Sequence, residues 1–136
     1  MARLILDTGI LVDAARQRLP EGAIGHEDDV AVPALAITEY QVGMLLDPNP
    51  ARRAAHGAFL ADFLAVTPVV DYSASVVEHH AELLAHLRRA GQVRGAHDLI
   101  IAATARATGR TLVTTDGRAR FEDLPDVEVK LLERIR

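Results

Sequence analysis

Short apolar runs alternate along the chain with longer segments of mixed polarity. Five of these runs read as strands, at residues 3–7, 30–32, 66–70, 111–115 and 127–131. Each is a few residues long, rich in β-branched or aliphatic side chains and bounded by polar or turn-forming residues. Because helices of about ten residues separate the strands, the pattern predicts an α/β fold in which a parallel sheet carries helices on both faces.

The segments between the strands carry helical spacing and helix end signals. The predicted helices run from Gly9 to Arg18, Pro33 to Leu46, Ala51 to Ala65, Ser73 or Ser75 to Ala90, and from near Asp98 to Gly109. Pro33 is expected as the first residue of its helix, where a missing N–H costs nothing. In that helix the spacing of about 3.6 residues places four side chains on one side: Leu35, Glu39, Val42 and Leu46. A carboxylate on this apolar stripe suggests a functional role.

Two strands near opposite ends of the chain end in an aspartate. Asp7 is the last residue of the first strand, and Asp116 follows the strand at 111–115. Ligands of open α/β sheets bind outside the carboxyl ends of parallel strands, so both acids should point into one crevice. Glu39 and Asp98, each on a helix, could join them. Carboxylates at short range raise each other's pKa unless cations neutralise them, so the group predicts a divalent metal site.

Each acid also has a structural alternative. Asp7 could cap the first helix, Asp98 could favour the positive end of its helix dipole, and Asp116 could form an Asx turn. Glu39 could be an exposed residue on a helix with a different phase. Carboxylate oxygens suit Mg²⁺ or Mn²⁺, and such ions activate water for phosphodiester hydrolysis. Three of the four acids lie at strand ends or helix starts compatible with one crevice, and this joint placement favours the metal-dependent chemistry.

Composition limits the class of protein. The 136 residues and 49% hydrophobic content suit a single domain spanning 1–136. Cysteine is absent from the sequence, which excludes disulfides and thiolate metal sites. No apolar run reaches the roughly 18 to 20 residues that span a bilayer. Residues 1–3 lead directly into a strand rather than into a leader, so we expect a cytoplasmic protein without membrane association.

Arginines are the candidate contacts for phosphate. Arg94, Arg118 and Arg120 fall close to the segments that carry the acids, and the guanidinium fork suits bidentate phosphate binding. Each could equally be a solvated surface arginine, and the net charge of −4 argues against general nucleic-acid coating. The six histidines are expected in packing or surface roles. Among them, His97 neighbours Asp98 in sequence but is expected to point elsewhere on its helix.

The segments that carry the acids resemble, in order, the signature blocks of PIN-domain ribonucleases. These segments are Leu4-Ile5-Leu6-Asp7-Thr8, Ile37-Thr38-Glu39, Asp98-Leu99-Ile100-Ile101-Ala102-Ala103-Thr104-Ala105 and Leu112-Val113-Thr114-Thr115-Asp116. More narrowly, the chain resembles the VapC toxins of type II toxin–antitoxin modules from about Arg3 to Leu131. One block alone is a weak signal, whereas the ordered set is specific.

The resemblance implies a PIN-like three-layer domain with a central, mostly parallel sheet of about four to five strands flanked by helices. It implies a Mg²⁺- or Mn²⁺-dependent endoribonuclease that cleaves structured RNA such as tRNA or rRNA. It also implies the toxin of a toxin–antitoxin pair, which is usually a homodimer held inactive by a small antitoxin. The family's acidic metal-binding positions fall on Asp7, Glu39, Asp98 and Asp116. Thr8 and Thr114 match small polar residues that support that pocket.

We assign roles to these acids as hypotheses. Asp7 and Asp98 would bind the principal ion directly, and Asp116 would bind it directly or through water. Glu39 would position or deprotonate the attacking water. Asp7, Asp98 and Asp116 are thus the candidate metal ligands, and Glu39 joins them as a candidate catalytic residue.

Other protein classes also place acids at strand ends. A phospho-receiver domain would have an acidic pair after the first strand and a lysine ending the last, whereas Lys130 lies within its strand. A phosphatase with an aspartyl nucleophile would have a second aspartate at the position of Gly9. The alternative that stays open is a catalytically weak PIN-fold module that binds RNA or a partner protein without cleavage.

Overall fold

Alternating strands and helices build one sheet between two helical layers in the computed structural model, which describes residues 1–135. The strands are β1 (Arg3–Leu6), β2 (Asp29–Pro33), β3 (Val69–Val70), β4 (Thr111–Thr114) and β5 (Val129–Leu131). The helices are α1 (Thr8–Ala15), α2 (Ala34–Leu46), α3 (Pro50–Val66), α4 (Ala74–Arg89) and α5 (Ala96–Thr108). Two 3₁₀ turns, Gly117–Ala119 and Phe121–Asp123, join β4 to β5. None of the helices within residues 1–135 combines the length and the hydrophobicity that spanning a bilayer requires.

The order of the strands creates a switch point in the sheet. The order is β3-β2-β1-β4-β5, and each neighbouring pair is parallel. The chain first moves from β1 outward to β3, then places β4 and β5 on the other side of β1. The direction therefore reverses between β1 and β4, where Leu6 pairs with Val113. Such a point opens a ligand crevice at the carboxyl ends of the strands.

The central strand β1 is buried on both faces. Leu4 and Leu6 belong to a buried cluster with residues of α1, α2 and α3, whereas Ile5 packs with residues of α4 and α5. A strand covered on both faces has a continuous apolar run rather than an alternating pattern, and β1 shows this run at Leu4-Ile5-Leu6. The predicted α/β class, with a parallel sheet of four to five strands flanked by helices, is confirmed.

Helix α5 packs closely because several of its buried side chains are small. Ala102, Ala103 and Ala105 are almost fully buried against α4 and the sheet. The helix ends at Gly109, whose φ of 63° lies in the left-handed region that glycine adopts without a Cβ penalty. Its first turn carries Asp98. The core packing of α5 thereby determines where this acid meets the carboxyl ends of the strands.

Helix α1 is shorter than predicted. It ends at Ala15 rather than Arg18, and Gln17 takes a left-handed φ of 57°. The backbone N–H of Arg18 donates to the carbonyl oxygen of Asp13 at 2.7 Å. This tight turn closes the last helical turn and redirects the chain toward β2.

Other predicted elements also begin or end at different residues in the structure. Pro33 is the last residue of β2 and precedes α2, because its ψ of 141° is extended rather than helical. The strand predicted at 66–70 is reduced to Val69–Val70, since α3 continues through Val66. The last strand begins at Val129, two residues later than expected.

The apolar stripe predicted on one side of α2 does not face the core at Val42 and Leu46. These residues are 49% and 76% exposed. Ala36 and Tyr40 are the buried residues of this helix, and they pack in the cluster formed with α1 and α3. Glu39 lies at the edge of this buried side and is half-buried.

Core packing on α4 provides a test of the fold. Leu83 is fully buried against α5 and the sheet. We expect Leu83→Ala to lower the free energy of unfolding by about 2–5 kcal/mol, because it removes buried methyl groups and leaves a cavity. The matched control is Leu46→Ala, which removes an exposed side chain and should change that free energy by about 0.5 kcal/mol or less. Urea denaturation measures both variants, and equal losses would contradict this packing.

Candidate functional site

A cleft of about 530 Å³ opens over the switch point, at the carboxyl ends of β1 and β4. Its walls come from the start of α1, from α2, from the first turn of α5 and from the segments after β4 and β5. The residues that line it are Asp7, Thr8, Gly9, Glu39, Asp98, Thr115, Asp116, Gly117, Arg118 and Arg134. The four acids singled out from the sequence therefore share one cleft.

Asp7 is held by both of its carboxylate oxygens. Its backbone N–H donates to the carbonyl oxygen of Val113 at 3.0 Å, which continues the pairing of β1 with β4. Oδ1 accepts from the backbone N–H of Thr8 at 2.8 Å and so caps α1. Oδ2 accepts from the hydroxyl of buried Thr114, also at 2.8 Å. Capping and a place in the cleft are thus two properties of the same side chain.

The environment of Asp7 changes its acidity. Burial raises the pKa of this carboxyl from 3.8 to about 6, and the negative charges of Asp98 and Glu39 act in the same direction. The hydrogen bonds from Thr114 and Thr8 oppose this rise. A carboxyl group in a cleft whose pKa is raised by burial and by neighbouring acids is a candidate functional residue.

Glu39 is half-buried and reaches the cleft from α2. Its Oε1 accepts from the hydroxyl of Thr8 at 2.9 Å. Its Oε2 lies 3.4 Å from Nδ1 of His97. The alternative that Glu39 is an exposed residue is therefore wrong. His97 is expected to point elsewhere on its helix than Asp98, yet its ring lies next to the acid Glu39, because the first turn of α5 directs it toward α2.

Asp98 lies in the first turn of α5 and is half-buried. Burial raises the pKa of its carboxyl, and the charges of Asp116 and Glu39 raise it further. His97 and Arg94 lower that pKa. Asp98 thus experiences the other acids of the cleft electrostatically, although they come from α2 and from the end of β4.

Asp116 closes the turn that follows β4. Its Oδ1 accepts from the backbone N–H groups of Arg118 and Ala119 at 2.9 and 3.2 Å. Its own N–H donates to the hydroxyl oxygen of Thr114 at 3.0 Å. Because the Thr114 hydroxyl also donates to Asp7, this one side chain links the acids at the ends of β1 and β4. The turn-forming alternative for Asp116 is therefore present alongside its place in the cleft.

The acids do not form a ready cluster of metal ligands. Within residues 1–135, no group of three acidic or histidine side chains is arranged to hold a metal ion. The hydrogen bonds described above explain this arrangement, since oxygens of Asp7, Glu39 and Asp116 face donors of the protein itself. The carboxylates share the cleft, but their oxygens do not converge on one point.

Of the three candidate arginines, Arg118 lines the acidic cleft. Arg94 instead donates to the carbonyl oxygens of Ala119 and Arg120, and this supports the turn after β4. Arg120 lies 2.6 Å from a carboxylate oxygen of Asp123. Arg94 and Arg120 line a neighbouring cavity of about 670 Å³. The structure thus places two of the three beside the cleft rather than in it.

Sequence reasoning missed a buried acid next to the cleft. Asp13 of α1 is 2% exposed. Its Oδ2 accepts from the hydroxyl of Thr115 at 2.9 Å, and its Oδ1 lies 3.1 Å from Nε of Arg134. The available signal was one carboxylate in the otherwise apolar segment from Gly9 to Ala15. The arginine carried no signal, because it lies in a charged stretch near the end of the chain.

The raised pKa of Asp7 predicts a pH-dependent stability in metal-free buffer. The folded chain holds the proton of the Asp7 carboxyl group more tightly than the unfolded chain does, because the pKa of this group is higher in the folded state. The resulting stability is complete below about pH 3.8 and is lost as the pH rises through about 6. We expect Asp7→Asn to remove this loss and to raise the free energy of unfolding near neutral pH by up to about 3 kcal/mol, at about 1.36 kcal/mol per pKa unit.

Urea denaturation over this pH range, with EDTA present, measures the effect. Asp62→Asn is the matched control, because Asp62 is exposed on α3 and its loss changes the net charge equally. If Asp7→Asn followed the wild-type pH profile, the burial of this carboxyl would not control the stability.

Comparisons with known proteins give matches over most of the chain. The family model of the PIN domain matches residues 4–127. Ribonuclease VapC2 of Rickettsia felis is 26% identical over 129 residues, which covers 90% of this chain and 92% of that protein. Ribonuclease VapC2 of Haemophilus influenzae is 27% identical over 121 residues, with 87% and 89% covered. The resemblance inferred from the sequence is confirmed.

Solved structures share the fold. VapBC2 from Rickettsia felis, bound to a DNA fragment from its promoter, contains a chain with a TM-score of 0.83 and 24% identity, covering 96% of this chain and 99% of that one. DNA-bound VapBC from Salmonella typhimurium gives a TM-score of 0.80 at 24% identity, with 96% and 98% covered. At this identity the likeness shows the arrangement of helices and strands.

Proposed function

This chain belongs to the PIN domain family, and we propose that it is an endoribonuclease that hydrolyses RNA phosphodiester bonds with Mg²⁺ or Mn²⁺ as cofactor. One observation carries the proposal, namely that acids from four separate segments line one cleft at the switch point: Asp7, Glu39, Asp98 and Asp116. Relatives over most of the chain bear the name ribonuclease, which supports RNA as the substrate.

The chemistry of the donor set fits a divalent cation. Burial and mutual repulsion raise the pKa of Asp7 and Asp98, so the cleft holds negative charge that a cation would neutralise. Asp7, Asp98 and Asp116 are the proposed ligands, and their carboxylates would have to come closer together to share an ion. When bound, Mg²⁺ or Mn²⁺ lowers the pKa of a coordinated water and stabilises charge on phosphate oxygens.

The remaining residues of the cleft supply orientation. Glu39 is proposed to position or deprotonate the attacking water, and the Thr8 hydroxyl holds its carboxylate by donating to Oε1. The hydroxyl group of Thr114 donates to the carboxylate of Asp7. The oxygen of the same hydroxyl accepts from the backbone N–H of Asp116. A single hydroxyl thereby connects two proposed ligands.

Recognition of RNA would depend on its backbone more than on its bases. Arg118 lines the cleft and offers a guanidinium to a phosphate. Aromatic residues make up only 4% of the chain, and within residues 1–135 the cleft lining contains none of them. Base stacking is therefore a minor contribution, and structured RNA such as tRNA or rRNA is the proposed substrate class.

Cleavage of RNA by the purified protein tests the proposal. We expect structured RNA to be cut in the presence of Mn²⁺ or Mg²⁺ and to remain intact in EDTA. Asp7→Asn and Glu39→Gln should each lower the rate by about a hundredfold or more, the usual scale for losing a metal ligand or general base. Sequencing of RNA 5′ ends, with wild type beside Asp7→Asn, identifies the cleaved sites.

The control and a second measurement separate enzyme from binding module. Asp62→Asn lies outside the cleft and should cleave at the wild-type rate. Mn²⁺ should raise the melting temperature of the wild type, because it binds the native state, and should raise that of Asp7→Asn less. Cleavage retained in Asp7→Asn would indicate a contaminating nuclease. RNA binding without cleavage by the wild type would favour the catalytically weak module.

We also propose that the chain is the toxin of a toxin–antitoxin pair and forms a homodimer. The similarity to chains solved in VapBC complexes supports a small partner protein. Helix α2 exposes Val42, Leu45 and Leu46, an apolar group of the kind that protein partners cover. Because α2 also carries Glu39, a partner on this helix would lie close to the cleft.

Coexpression tests the partner. Induction of the chain alone should arrest growth, and coexpression of a small protein encoded by the adjacent reading frame should restore growth and copurify with it. Asp7→Asn should copurify with the same protein without arresting growth. Absence of a small adjacent reading frame would count against the pair, and a monomer in sedimentation experiments would exclude the homodimer.

A further inference from the structure

Two guanidinium groups line the otherwise acidic cleft. One belongs to Arg118 on the exposed turn after β4, and the other belongs to Arg134, beyond the end of β5. RNA brings further negative charge to this cleft, so its cationic side chains determine where a phosphate can approach. The position of Arg134 is therefore informative about substrate binding.

The segment after β5 forms part of the cleft wall. The backbone N–H of Leu132 donates to the carbonyl oxygen of Thr114 at 2.8 Å, which extends the pairing of β5 with β4. The side chain of Leu132 packs against the cluster formed with α1, α2 and α3. The N–H of Ile135 donates to the carbonyl oxygen of Arg18 at 2.7 Å. These bonds hold the segment on both sides of Arg134.

A buried carboxylate holds the guanidinium in place. The side chain of Asp13 is 3% exposed, and its Oδ1 lies 3.1 Å from Nε of Arg134. Its Oδ2 accepts from the hydroxyl of Thr115. A buried carboxylate without partners is strongly unfavourable, so this pairing constrains the arginine side chain. The side chain of Arg134 nevertheless remains 52% exposed, so part of it is accessible to a ligand in the cleft.

We propose that Arg134 is a substrate-binding residue that contacts an RNA phosphate in the cleft, and that Asp13 and Thr115 position it. The inference rests on the proposed ribonuclease function. A guanidinium has five N–H donors, so the edge next to Asp13 can be anchored while another edge binds phosphate oxygens. An arginine already held in one orientation loses less side-chain entropy when the phosphate binds.

A purely structural role for Arg134 makes a different prediction. In that case the guanidinium only neutralises buried Asp13. A variant that lacks both charges should then have the stability, the KM and the salt dependence of RNA binding of the wild type. If Arg134 contacts phosphate, removing both charges restores the stability of the fold but not the affinity for RNA. The double variant Asp13→Asn/Arg134→Gln therefore distinguishes the two roles.

Steady-state cleavage kinetics and RNA binding provide the test. We expect Arg134→Gln to raise KM about tenfold with little change in kcat, because a charge-assisted contact to phosphate is lost. The slope of the logarithm of RNA affinity against the logarithm of salt concentration should fall by about 0.7 to 0.9, the value for one phosphate contact. Arg134→Lys keeps the charge and should recover part of the affinity.

The controls address folding and net charge. Arg3→Gln removes an exposed arginine at the amino end of β1, away from the cleft, and should leave KM and the salt slope unchanged. If Arg134→Gln folds poorly, the double variant supplies the measurement, since it leaves no unpaired charge on Asp13. Wild-type KM and salt slope in the double variant would overturn the proposal.

The outcomes also separate this inference from the function on which it rests. A wild type that neither cleaves nor binds RNA would refute both. A wild type that cleaves RNA, beside an Arg134→Gln variant with the same KM and salt slope, would refute the role of Arg134 alone. A wild type that binds without cleaving still reports the salt slope, so binding data then decide the role of Arg134.

Discussion

The parallel pairing of β1 with β4 is the constraint on which the cleft depends. Leu6 pairs with Val113, and the next N–H along β1, that of Asp7, donates to the same residue's carbonyl oxygen. Because these strands are buried and held by the helical layers, their carboxyl ends cannot separate to relieve repulsion between acids. The apolar core thereby maintains a concentration of negative charge that isolated segments of this chain would avoid.

The same acids that line the cleft also organise the backbone around it. Asp7 caps α1, and Asp116 accepts the N–H groups of the turn after β4. The structural and functional interpretations of an acid at a strand end are therefore compatible. A side chain that satisfies backbone donors is held in one place. Within residues 1–135, the local hydrogen bonds also keep the acids from forming a closed ligand set.

Positive charge reaches the cleft by two different routes. Arg118 extends from an exposed turn whose backbone is held by Asp116. Arg134 comes from the segment after β5 and is paired with buried Asp13. The contacts of Arg134 connect α1, the end of β4 and the segment after β5 in one network, since Thr115 also donates to Asp13. The geometry of the cleft and the packing of the segment after β5 are therefore coupled.

Local patterns in the chain were enough to predict the class of fold and the positions of the strand-end acids. The apolar runs that end at Asp7 and Asp116 indicate buried strands. A strand that is buried on both faces is apolar along its whole length, so its own sequence is enough to identify it. Three features emerged only from the packed molecule: the buried side of α2, the approach of His97 to Glu39, and the pairing of Asp13 with Arg134. These contacts join elements far apart in the chain, and helical periodicity does not specify which faces meet when such elements pack.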